Sequence, residues 1–400
     1  MRGSEDTHLL SEIRTIMKQI RIATPQRRKP PWRYPCDLRL REDYLDGERV
    51  SAASITLFPT GCQHAAQGGC TMCGEWSGSN QGELVSSEFH VAQFAAASAD
   101  LLSKKDIHWL RIYQEGSFLN DREIMPEARE IILRLASNLR GIRRITIESR
   151  PEYLTSGMAA SVRAHTRASV ELEIGIGLEA RDDFVRNVCI GKGTSLAAYK
   201  RAVEIAHAND IIALAYVLLK PPFLSEREAI EEAVESVAYA FEIGFDEVYV
   251  QPASVHEWSL SEMLMLKGLY SPPWLWSILE VVKRTVLLGK VKIGGLEYFP
   301  CPSIVAQNYR DIKSLAPCKC SQDIWQLIQE YNATHNAGLF ADVTCSCRAT
   351  WQALQEVSEI PLVSRISQIL SLISVEEYIS YKHNMLGTIN NGRIVNLRSQ

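Results

Sequence analysis

Seven of the ten cysteines in this 400-residue chain fall into two groups whose spacing suits metal binding. They are Cys62, Cys70 and Cys73 on one glycine-rich loop, and the C-x-C pairs Cys318 with Cys320 and Cys345 with Cys347. The first ten residues, MRGSEDTHLL, are polar and predict no secretory segment. Without an oxidising compartment, clustered thiols indicate a metal site or redox chemistry rather than disulfides.

The first cysteine group can hold three irons of a [4Fe–4S] cluster and leave the fourth iron without a protein ligand. An open iron can chelate the amino and carboxylate groups of S-adenosylmethionine. One electron from the cluster then cleaves the sulfonium and gives a 5′-deoxyadenosyl radical. The alternative is a structural zinc site with His64 as the fourth ligand. Such zinc loops usually pair two short cysteine hooks, so the spacing favours the cluster and leaves zinc open.

The second cysteine group supplies four thiolates, which suit tetrahedral zinc or an auxiliary iron–sulfur cluster. The alternative is two unrelated pairs of reduced thiols. Two hooks in one segment favour a metal, with zinc ahead of iron. The remaining Cys36, Cys189 and Cys301 stand alone and are interpreted as buried thiols.

Six apolar runs of strand length alternate with helical stretches from residue 54 onward. These runs cover residues 54–59, 108–113, 144–148, 170–175, 212–219 and 247–251. Capping-box patterns at Ser225-x-x-Glu228 and Ser259-x-x-Glu262 mark two helix starts. The alternation predicts an α/β fold with a parallel sheet, an open (β/α)6 partial TIM barrel. Polar motifs follow the strands, at the carboxyl ends where barrel enzymes hold their chemistry.

Three regions are predicted along the chain. They are a basic N-terminal extension at 1–48, the barrel core at 49–290, and a C-terminal metal-binding subdomain with a helical tail at 291–400. Residues 14–41 hold nine Lys or Arg and one acid, Asp37, including the run from Arg27 to Arg33. This basic stretch either binds phosphates or is a solvated leader that wraps the body. Gly191-x-Gly193 is interpreted as a turn rather than a phosphate loop.

Composition limits the class of protein. Hydrophobic residues make up 46% and charged residues 22%, as in ordinary globular proteins, and the net charge of −4 excludes a uniformly basic nucleic-acid clamp. No apolar run approaches the roughly 18 residues of a membrane helix. We therefore expect a soluble, cytoplasmic protein with no membrane partner.

The loop TGCQHAAQGGCTMCG at residues 60–74 resembles radical S-adenosylmethionine (radical SAM) enzymes, and in detail the family of archaeosine biosynthesis, relatives of elongator-type radical enzymes. The resemblance runs in order over roughly residues 50–350. It includes RIYQEGSFLNDREI, ITIESRPEYL, IGLEARDDFVRNVCIGKG, YVLLKPPFLSEREAI and LYSPPWLWSILEVV. Two positions depart from the family pattern: Glu75 stands where an aromatic is usual, and His64 where a larger aromatic is frequent.

The resemblance implies roles for individual residues. Cys62, Cys70 and Cys73 would ligate the [4Fe–4S] cluster. S-adenosylmethionine would lie against residues at the strand ends, namely Tyr113, Gly116, Ser117, Glu148, Arg150, Gly177 and Glu179. Glu179 and Lys220 would be catalytic, with Lys220 reaching the centre from the fifth strand. For Glu148, Arg150 and Glu179 the alternative is a structural ion-pair network at the barrel rim.

The resemblance also implies a substrate and partners. The substrate would be a lysine-bearing 7-deazaguanine in tRNA, and hydrogen abstraction from its lysyl part would lead to carbon–nitrogen cleavage and the formamidine of archaeosine. Flavodoxin or ferredoxin would supply electrons, and a lysine transferase would be a partner. One alternative is radical modification of a small molecule or peptide in a bacterial pathway. A second is a zinc-bound RNA- or protein-binding module.

Overall fold

The computed structural model describes residues 4–26, 37–45, 47–104, 106–295, 305–356 and 360–390. Its centre is an eight-stranded sheet in which each strand neighbours the next one along the chain. The strands are β1 (Asp37–Leu45), β2 (Glu48–Thr56), β3 (Trp109–Tyr113), β4 (Arg144–Ser149), β5 (Glu171–Glu179), β6 (Ile211–Leu219), β7 (Glu247–Pro252) and β8 (Lys290–Ile293). β1 is antiparallel to β2, and β2 through β8 run parallel as an open barrel.

The predicted α/β open barrel is confirmed, with two more strands than the six predicted. The predicted strands correspond to β2–β7, although β2 begins at Glu48 and ends at Thr56 instead of spanning residues 54–59. β1 extends the sheet beyond β2, so part of the predicted N-terminal extension belongs to the barrel. β8 adds a seventh parallel strand beside β7.

Helices cover the outside of the sheet between successive strands. The helices are α1 (Ser4–Ala23), α2 (Ser87–Lys104), α3 (Pro126–Ser137), α4 (Ser156–Ala164), α5 (Leu196–His207), α6 (Glu226–Glu242), α7 (Leu260–Leu266), α8 (Leu275–Thr285), α9 (Cys320–Thr334), α10 (Cys347–Glu356), α11 (Leu362–Ser371) and α12 (Val375–Asn390). The predicted capping box opens α6, where the Ser225 side chain accepts from the Glu228 amide and the Glu228 carboxylate accepts from the Ser225 amide. A short hairpin of β9 (Tyr309–Asp311) and β10 (Ala316–Pro317) precedes α9.

Charged side chains fill the inside of the barrel near its amino ends. The Arg111 guanidinium lies 2.8 Å from the Asp43 carboxylate. Arg144 lies 3.2 Å from Glu173 and 3.1 Å from Glu247, and all three side chains are nearly inaccessible to solvent. Because buried charges are stable only when paired, we assign this network to the barrel framework. Arg144 and Glu247 begin β4 and β7, so the network lies at the end opposite to the strands' carboxyl ends.

The N-terminal helix α1 is a packed element of the molecule. Its apolar face is buried and contacts the loop after β2, the turn at 185–189 and helices α11 and α12. Over residues 14–23 the chain is therefore packed against the body rather than solvated, and phosphate binding by the basic stretch stays a prediction. The basic run from Arg27 to Arg33, together with Cys36 and Cys301, lies outside the described residues. Within the described ranges, none of the helices combines the length and apolarity needed to cross a membrane.

Candidate functional site

The first cysteine group lies on the loop between β2 and α2, at the carboxyl ends of the parallel strands. We call residues 62–73 the three-cysteine loop. Cys62, Cys70 and Cys73 are all free thiols and partly accessible to solvent. The loop is fixed from outside by Thr71, whose amide donates to the Ile190 carbonyl at 2.9 Å and whose hydroxyl donates to the carbonyl of the buried Cys189 at 2.7 Å.

The three-cysteine loop differs from the second cysteine group in the arrangement of its candidate ligands. Among the described residues, a compact set of ligand atoms, all within 4.8 Å of one another, is found at the second cysteine group and not at this loop. His64, the alternative fourth ligand, uses its Nε2 atom in a 2.8 Å hydrogen bond with the Gly191 carbonyl. Burial, followed by the nearby charge of Arg150, lowers the pKa of His64 to about 3. The ring therefore stays neutral and committed to this contact.

Burial makes two of the loop thiols weak acids. It raises the pKa of Cys62 to about 11, and the carboxylate of Glu123 adds to the effect. It also raises the pKa of Cys73 to about 12, against the opposing charge of Arg21. Because a thiolate is the metal-binding form, metal uptake at this loop must release protons.

Glu123 joins the three-cysteine loop to the turn after β3. Its side chain is fully buried. One carboxylate oxygen accepts from the Gln63 amide at 3.1 Å, beside Cys62, and the other accepts from the Ser117 amide at 2.6 Å. Gly116 is required here, because a Cβ atom at this position would come within 2.1 Å of the Glu123 carboxylate. Amides of Asn120 and Gln114 donate to the same two oxygens at 2.8 and 3.2 Å.

Ser117 and Arg150, two predicted cofactor residues, are in direct contact. The Arg150 amide donates to the Ser117 hydroxyl at 3.2 Å. The Arg150 guanidinium donates to the Lys192 carbonyl at 2.8 Å and the Thr194 hydroxyl at 2.9 Å, and it pairs with Glu152 at 2.5 Å. Arg150 therefore ties the end of β4 to the turn that follows Cys189.

Glu179, the last residue of β5, pairs with Lys192 at 2.9 Å. Burial works against the charge of Lys192, but Glu179 and Cys70 raise its pKa above the usual range. Gly177 lies against this pair, since a Cβ atom there would come within 2.4 Å of the ammonium. The predicted turn at 191–193 thus carries a buried lysine beside Cys70, which the sequence interpretation missed.

Glu148 and Tyr113 lie near one another around Tyr216, inside the barrel. Burial, followed by the carboxylate of Glu148 and the phenol of Tyr113, raises the pKa of Tyr216 well above its usual range. The Tyr216 ring occupies the space that a side chain at Gly175 would need. Tyr113, Glu148 and Tyr216 belong to β3, β4 and β6, so these contacts join three strands of the sheet.

Lys220 is not part of this group of contacts. Its ammonium donates to the Glu226 carboxylate at the start of α6 and to the Ser271 hydroxyl at 3.3 Å. The Tyr270 hydroxyl donates to the Lys220 carbonyl at 2.7 Å. Lys220 is buried and has a left-handed backbone with a φ of 64°. Here it is an ion-pair partner, and the catalytic role expected for it stays a prediction.

Left-handed backbone recurs where the strands end. Glu115 has a φ of 55° and Glu179 a φ of 65°, so three strand ends carry a non-glycine residue in this region, counting Lys220. Side chains adopt this conformation at an energetic cost, and it concentrates at functional sites.

The second cysteine group is compact. All four sulfur atoms lie within 4.8 Å of one another. The Cys318 and Cys345 sulfurs are 3.5 Å apart, and the Cys320 and Cys347 sulfurs are 3.6 Å apart. Tetrahedral zinc with zinc–sulfur bonds of about 2.3 Å has sulfur–sulfur edges of about 3.8 Å. The predicted pair of hooks is therefore brought together in a geometry that fits one metal ion.

Two side chains donate hydrogen bonds to this group from outside. The Asn308 amide lies 3.3 Å from the Cys320 sulfur, and the Trp276 indole nitrogen lies 3.3 Å from the Cys347 sulfur. Burial raises the pKa of Cys320 to about 11. A hydrogen bond from the backbone amide of Cys347 lowers the pKa of Cys345 to about 7. Such outer contacts orient metal ligands and stabilise thiolates.

Comparison with known proteins identifies relatives along almost the whole chain. No protein-family model matches it. An uncharacterised protein of Methanocaldococcus jannaschii is 31% identical over 355 residues, which cover 88% of this chain and 95% of the relative. Archaeosine synthase subunit beta of Thermococcus kodakarensis is 30% identical over 320 residues, which cover 79% of this chain and 95% of the relative.

Among solved structures, the radical S-adenosylmethionine methyltransferase TsrM of Kitasatospora setae, with cobalamin and a [4Fe-4S] cluster bound, superposes with a TM-score of 0.36 at 12% identity. The superposition covers 50% of this chain and 35% of that one. The sequence relationship to the Thermococcus kodakarensis protein identifies the family, because it extends over nearly the entire length of that relative. The chain belongs to the archaeosine synthase subunit beta family.

Proposed function

We propose that this protein uses Cys62, Cys70 and Cys73 to hold a [4Fe–4S] cluster, and that it cleaves S-adenosylmethionine reductively at the open end of the barrel. The observation that carries the proposal is the placement of three free thiols on one loop at the strands' carboxyl ends, without the compact geometry of a single-ion site. In a [4Fe–4S] cluster each thiolate binds a different iron, so the three ligands need not share one ion. When bound, the cluster and S-adenosylmethionine supply a 5′-deoxyadenosyl radical for hydrogen abstraction.

The neighbouring residues support a site for S-adenosylmethionine. The turn at Gly116 and Ser117 is held against the three-cysteine loop by buried Glu123. Arg150 and the Glu179–Lys192 pair present positive and negative groups next to Cys70, which suit the amino and carboxylate ends of an amino acid. The remaining members of the predicted cofactor set lie within the strands β3, β4 and β5, namely Tyr113, Glu148 and Gly177.

For the substrate, we infer a lysine-bearing 7-deazaguanine in tRNA, from which hydrogen is removed at the lysyl part and whose carbon–nitrogen bond is cleaved to give archaeosine. The relationship to archaeosine synthase subunit beta at 30% identity supports this reaction. A subunit named beta also implies a second subunit, for which a lysine transferase is the expected partner. Flavodoxin or ferredoxin would provide the electron, and the cytoplasm, where tRNA is modified, would be the location.

We assign the second cysteine group to structural zinc. Its four sulfurs have the spacing that one tetrahedral ion requires, and both hooks begin helices, α9 and α10. A closed four-thiolate site leaves no open position for chemistry. Zinc here would fix the C-terminal helices to the barrel.

The test is anaerobic purification followed by analysis of iron, sulfide and zinc, and assay of 5′-deoxyadenosine after adding dithionite and S-adenosylmethionine. We expect about four irons, one zinc and formation of deoxyadenosine. Protein that takes up zinc but no iron, and forms no deoxyadenosine, would exclude the radical reaction.

The substrate is tested separately with the reconstituted protein. Lysine-modified tRNA, unmodified tRNA and the free modified nucleoside are compared for archaeosine formation with the lysine transferase present. We expect product only from modified tRNA, and retention of that tRNA that weakens as salt rises. Deoxyadenosine formation with turnover of a small molecule or peptide, and none of tRNA, would retain the radical chemistry and overturn the tRNA substrate.

A further inference from the structure

We propose that Arg21, on the N-terminal helix α1, positions the three-cysteine loop and supplies the positive charge that complements the metal group bound there. The proposal rests on the proposed function, because it takes a [4Fe–4S] cluster as the bound group. Nothing in the motif of three cysteines points to α1, which ends at Ala23, before the first strand of the barrel begins at Asp37.

One guanidinium makes four hydrogen bonds to main-chain carbonyls around the loop. Its Nη2 atom donates to Cys73 at 2.7 Å and to Cys70 at 3.2 Å. Its Nε atom donates to Gly68 at 3.1 Å, and its Nη1 atom donates to Trp258 at 3.1 Å. Three of these acceptors belong to the three-cysteine loop and two are the carbonyls of cysteines themselves. The fourth lies on the segment between β7 and α7, so Arg21 joins two loops that follow different strands.

Arg21 is only 4% exposed, and its guanidinium has no carboxylate partner among the described residues. Carbonyl dipoles stabilise a buried cation in part, but buried charges in proteins are as a rule balanced by an opposite charge. Three thiolates carrying a cluster would supply the missing negative charge beside it. The unbalanced cation is thus an observation that points to an anionic group at the loop.

The helix that carries Arg21 is anchored so that the contact is rigid. Ile13, Met17 and Ile20 are buried on the inner face of α1. On the other side of the guanidinium, the Trp258 amide donates to the Glu262 carboxylate at 2.8 Å, and the Tyr378 hydroxyl of α12 donates to the same carboxylate. Helices α1 and α12 therefore both contact segments that surround the Arg21 guanidinium.

Two substitutions separate positioning from charge. Arg21→Gln removes the charge and most of the four hydrogen bonds, so we expect at least a twofold loss of iron per chain and a more negative midpoint potential for the iron that remains. Loss of a nearby positive charge stabilises the oxidised, less negative cluster. Arg21→Lys retains the charge but cannot reach four carbonyls at once, so we expect reduced iron retention with a potential close to that of the unchanged protein.

The measurements are iron, sulfide and zinc content, and midpoint potential by an anaerobic redox titration followed by electron paramagnetic resonance. Lys18→Gln, which removes an exposed positive charge from the same helix, is the matched control and should change neither iron nor potential. Zinc content reports whether the rest of the fold is intact. Equal iron content and equal potential in all variants would overturn the proposal.

The outcome remains distinct from that of the proposed function. If the unchanged protein takes up no iron, the cluster assignment fails by itself. Arg21 is then judged by hydrogen exchange of residues 62–73 in Arg21→Gln and Lys18→Gln. Faster exchange in Arg21→Gln alone would support the positioning role, and equal exchange would reject it. If Arg21→Gln does not fold, the same comparisons are made with Arg21→Lys.

Discussion

The two cysteine groups differ in geometry although they use the same ligand atom. The second group draws four sulfurs within 4.8 Å of one another, on two hooks that begin α9 and α10. Among the described residues, the three-cysteine loop forms no such compact set, and it lies at the strands' carboxyl ends. Compactness suits one ion that all ligands share, whereas separation suits a cluster in which every ligand has its own iron.

The two cysteine groups also differ in the charge of the side chains around them. Around the three-cysteine loop lie charged side chains from segments that follow three different strands: Glu123 and Lys192 are buried, and Arg150 is half-buried. Around the second group lie an amide and an indole, Asn308 and Trp276, which donate neutral hydrogen bonds to sulfur. A site that binds a charged cofactor and reacts needs charged groups near it, while a framework site needs only fixed ligands. Under the proposed function, the chemistry and the framework would be held by separate metals.

The largest expected effect comes from removing one cysteine of each group. Cys70→Ala should reduce iron from about four per chain to nearly none and abolish deoxyadenosine formation, because the cluster loses one of only three protein ligands. Zinc should stay at about one per chain. Cys345→Ser should lose zinc, because four ligands close that site, and leave the iron in place. Both results are read from metal analysis of anaerobically reconstituted protein.

Cys189→Ala is the matched control for these variants, since Cys189 is a fully buried thiol that belongs to neither group. It should retain both metals. If Cys345→Ser instead lost about half of eight irons and the unchanged protein held no zinc, the second group would be an auxiliary cluster. Both groups would then bind iron–sulfur clusters and would differ only in their position in the fold.

A smaller effect is expected at Glu123, which couples the three-cysteine loop to the turn after β3. Glu123→Gln replaces an acceptor of four hydrogen bonds by an amide with one oxygen, so two buried donors lose their partner. We expect a loss of about 2–4 kcal/mol in the free energy of unfolding. Iron retention should fall with it, while zinc at the second group stays.

Urea denaturation with metal analysis measures both effects. Glu127→Gln is the control, because Glu127 is exposed in the first turn of α3 and the substitution is chemically identical. Equal stability and equal iron content in the two variants would show that the buried carboxylate does not support the loop.

Much of the fold was predictable because the parallel strands are long apolar runs. β6, with the sequence IIALAYVLL, is buried on both faces and has the composition that such strands require. β1 and β8 were missed for the opposite reason. β1 reads DLRLREDYL, in which more than half of the residues are charged, and β8 reads KVKI, which alternates but is only four residues long.

The cysteines of the site were predictable from spacing, but their supporting residues were not. Glu123, Arg21 and Lys192 are charged residues in polar stretches, and a sequence gives such residues the appearance of solvated surface. Their burial depends on loops from distant strands meeting at one edge of the sheet. Lys220 shows the reverse case: it follows a strand as expected, but its left-handed backbone turns the side chain to Glu226.

The smallest effect tests whether the second group also supports the barrel through hydrogen bonds. The Trp351 indole, on α10 one turn after Cys347, donates to the Ser277 hydroxyl at 2.9 Å, and Ser277 donates to Glu226, the partner of Lys220. Trp351→Phe removes the first of these bonds and retains the zinc ligands. We expect a loss of about 1–2 kcal/mol in the free energy of unfolding, because the bond is buried, with one zinc still bound.

Trp274→Phe is the control for this substitution. Trp274 is equally buried on the neighbouring helix start, and its indole nitrogen has no hydrogen-bond partner within the described ranges. The two variants lose the same ring volume, so the difference between their unfolding free energies isolates the hydrogen bond. A larger cost for Trp351→Phe, with faster hydrogen exchange at residues 218–226, would mean that the zinc-bearing helix holds the Lys220–Glu226 pair in place. Equal costs and unchanged exchange would confine the second cysteine group to its own subdomain and make the separation between chemistry and framework complete.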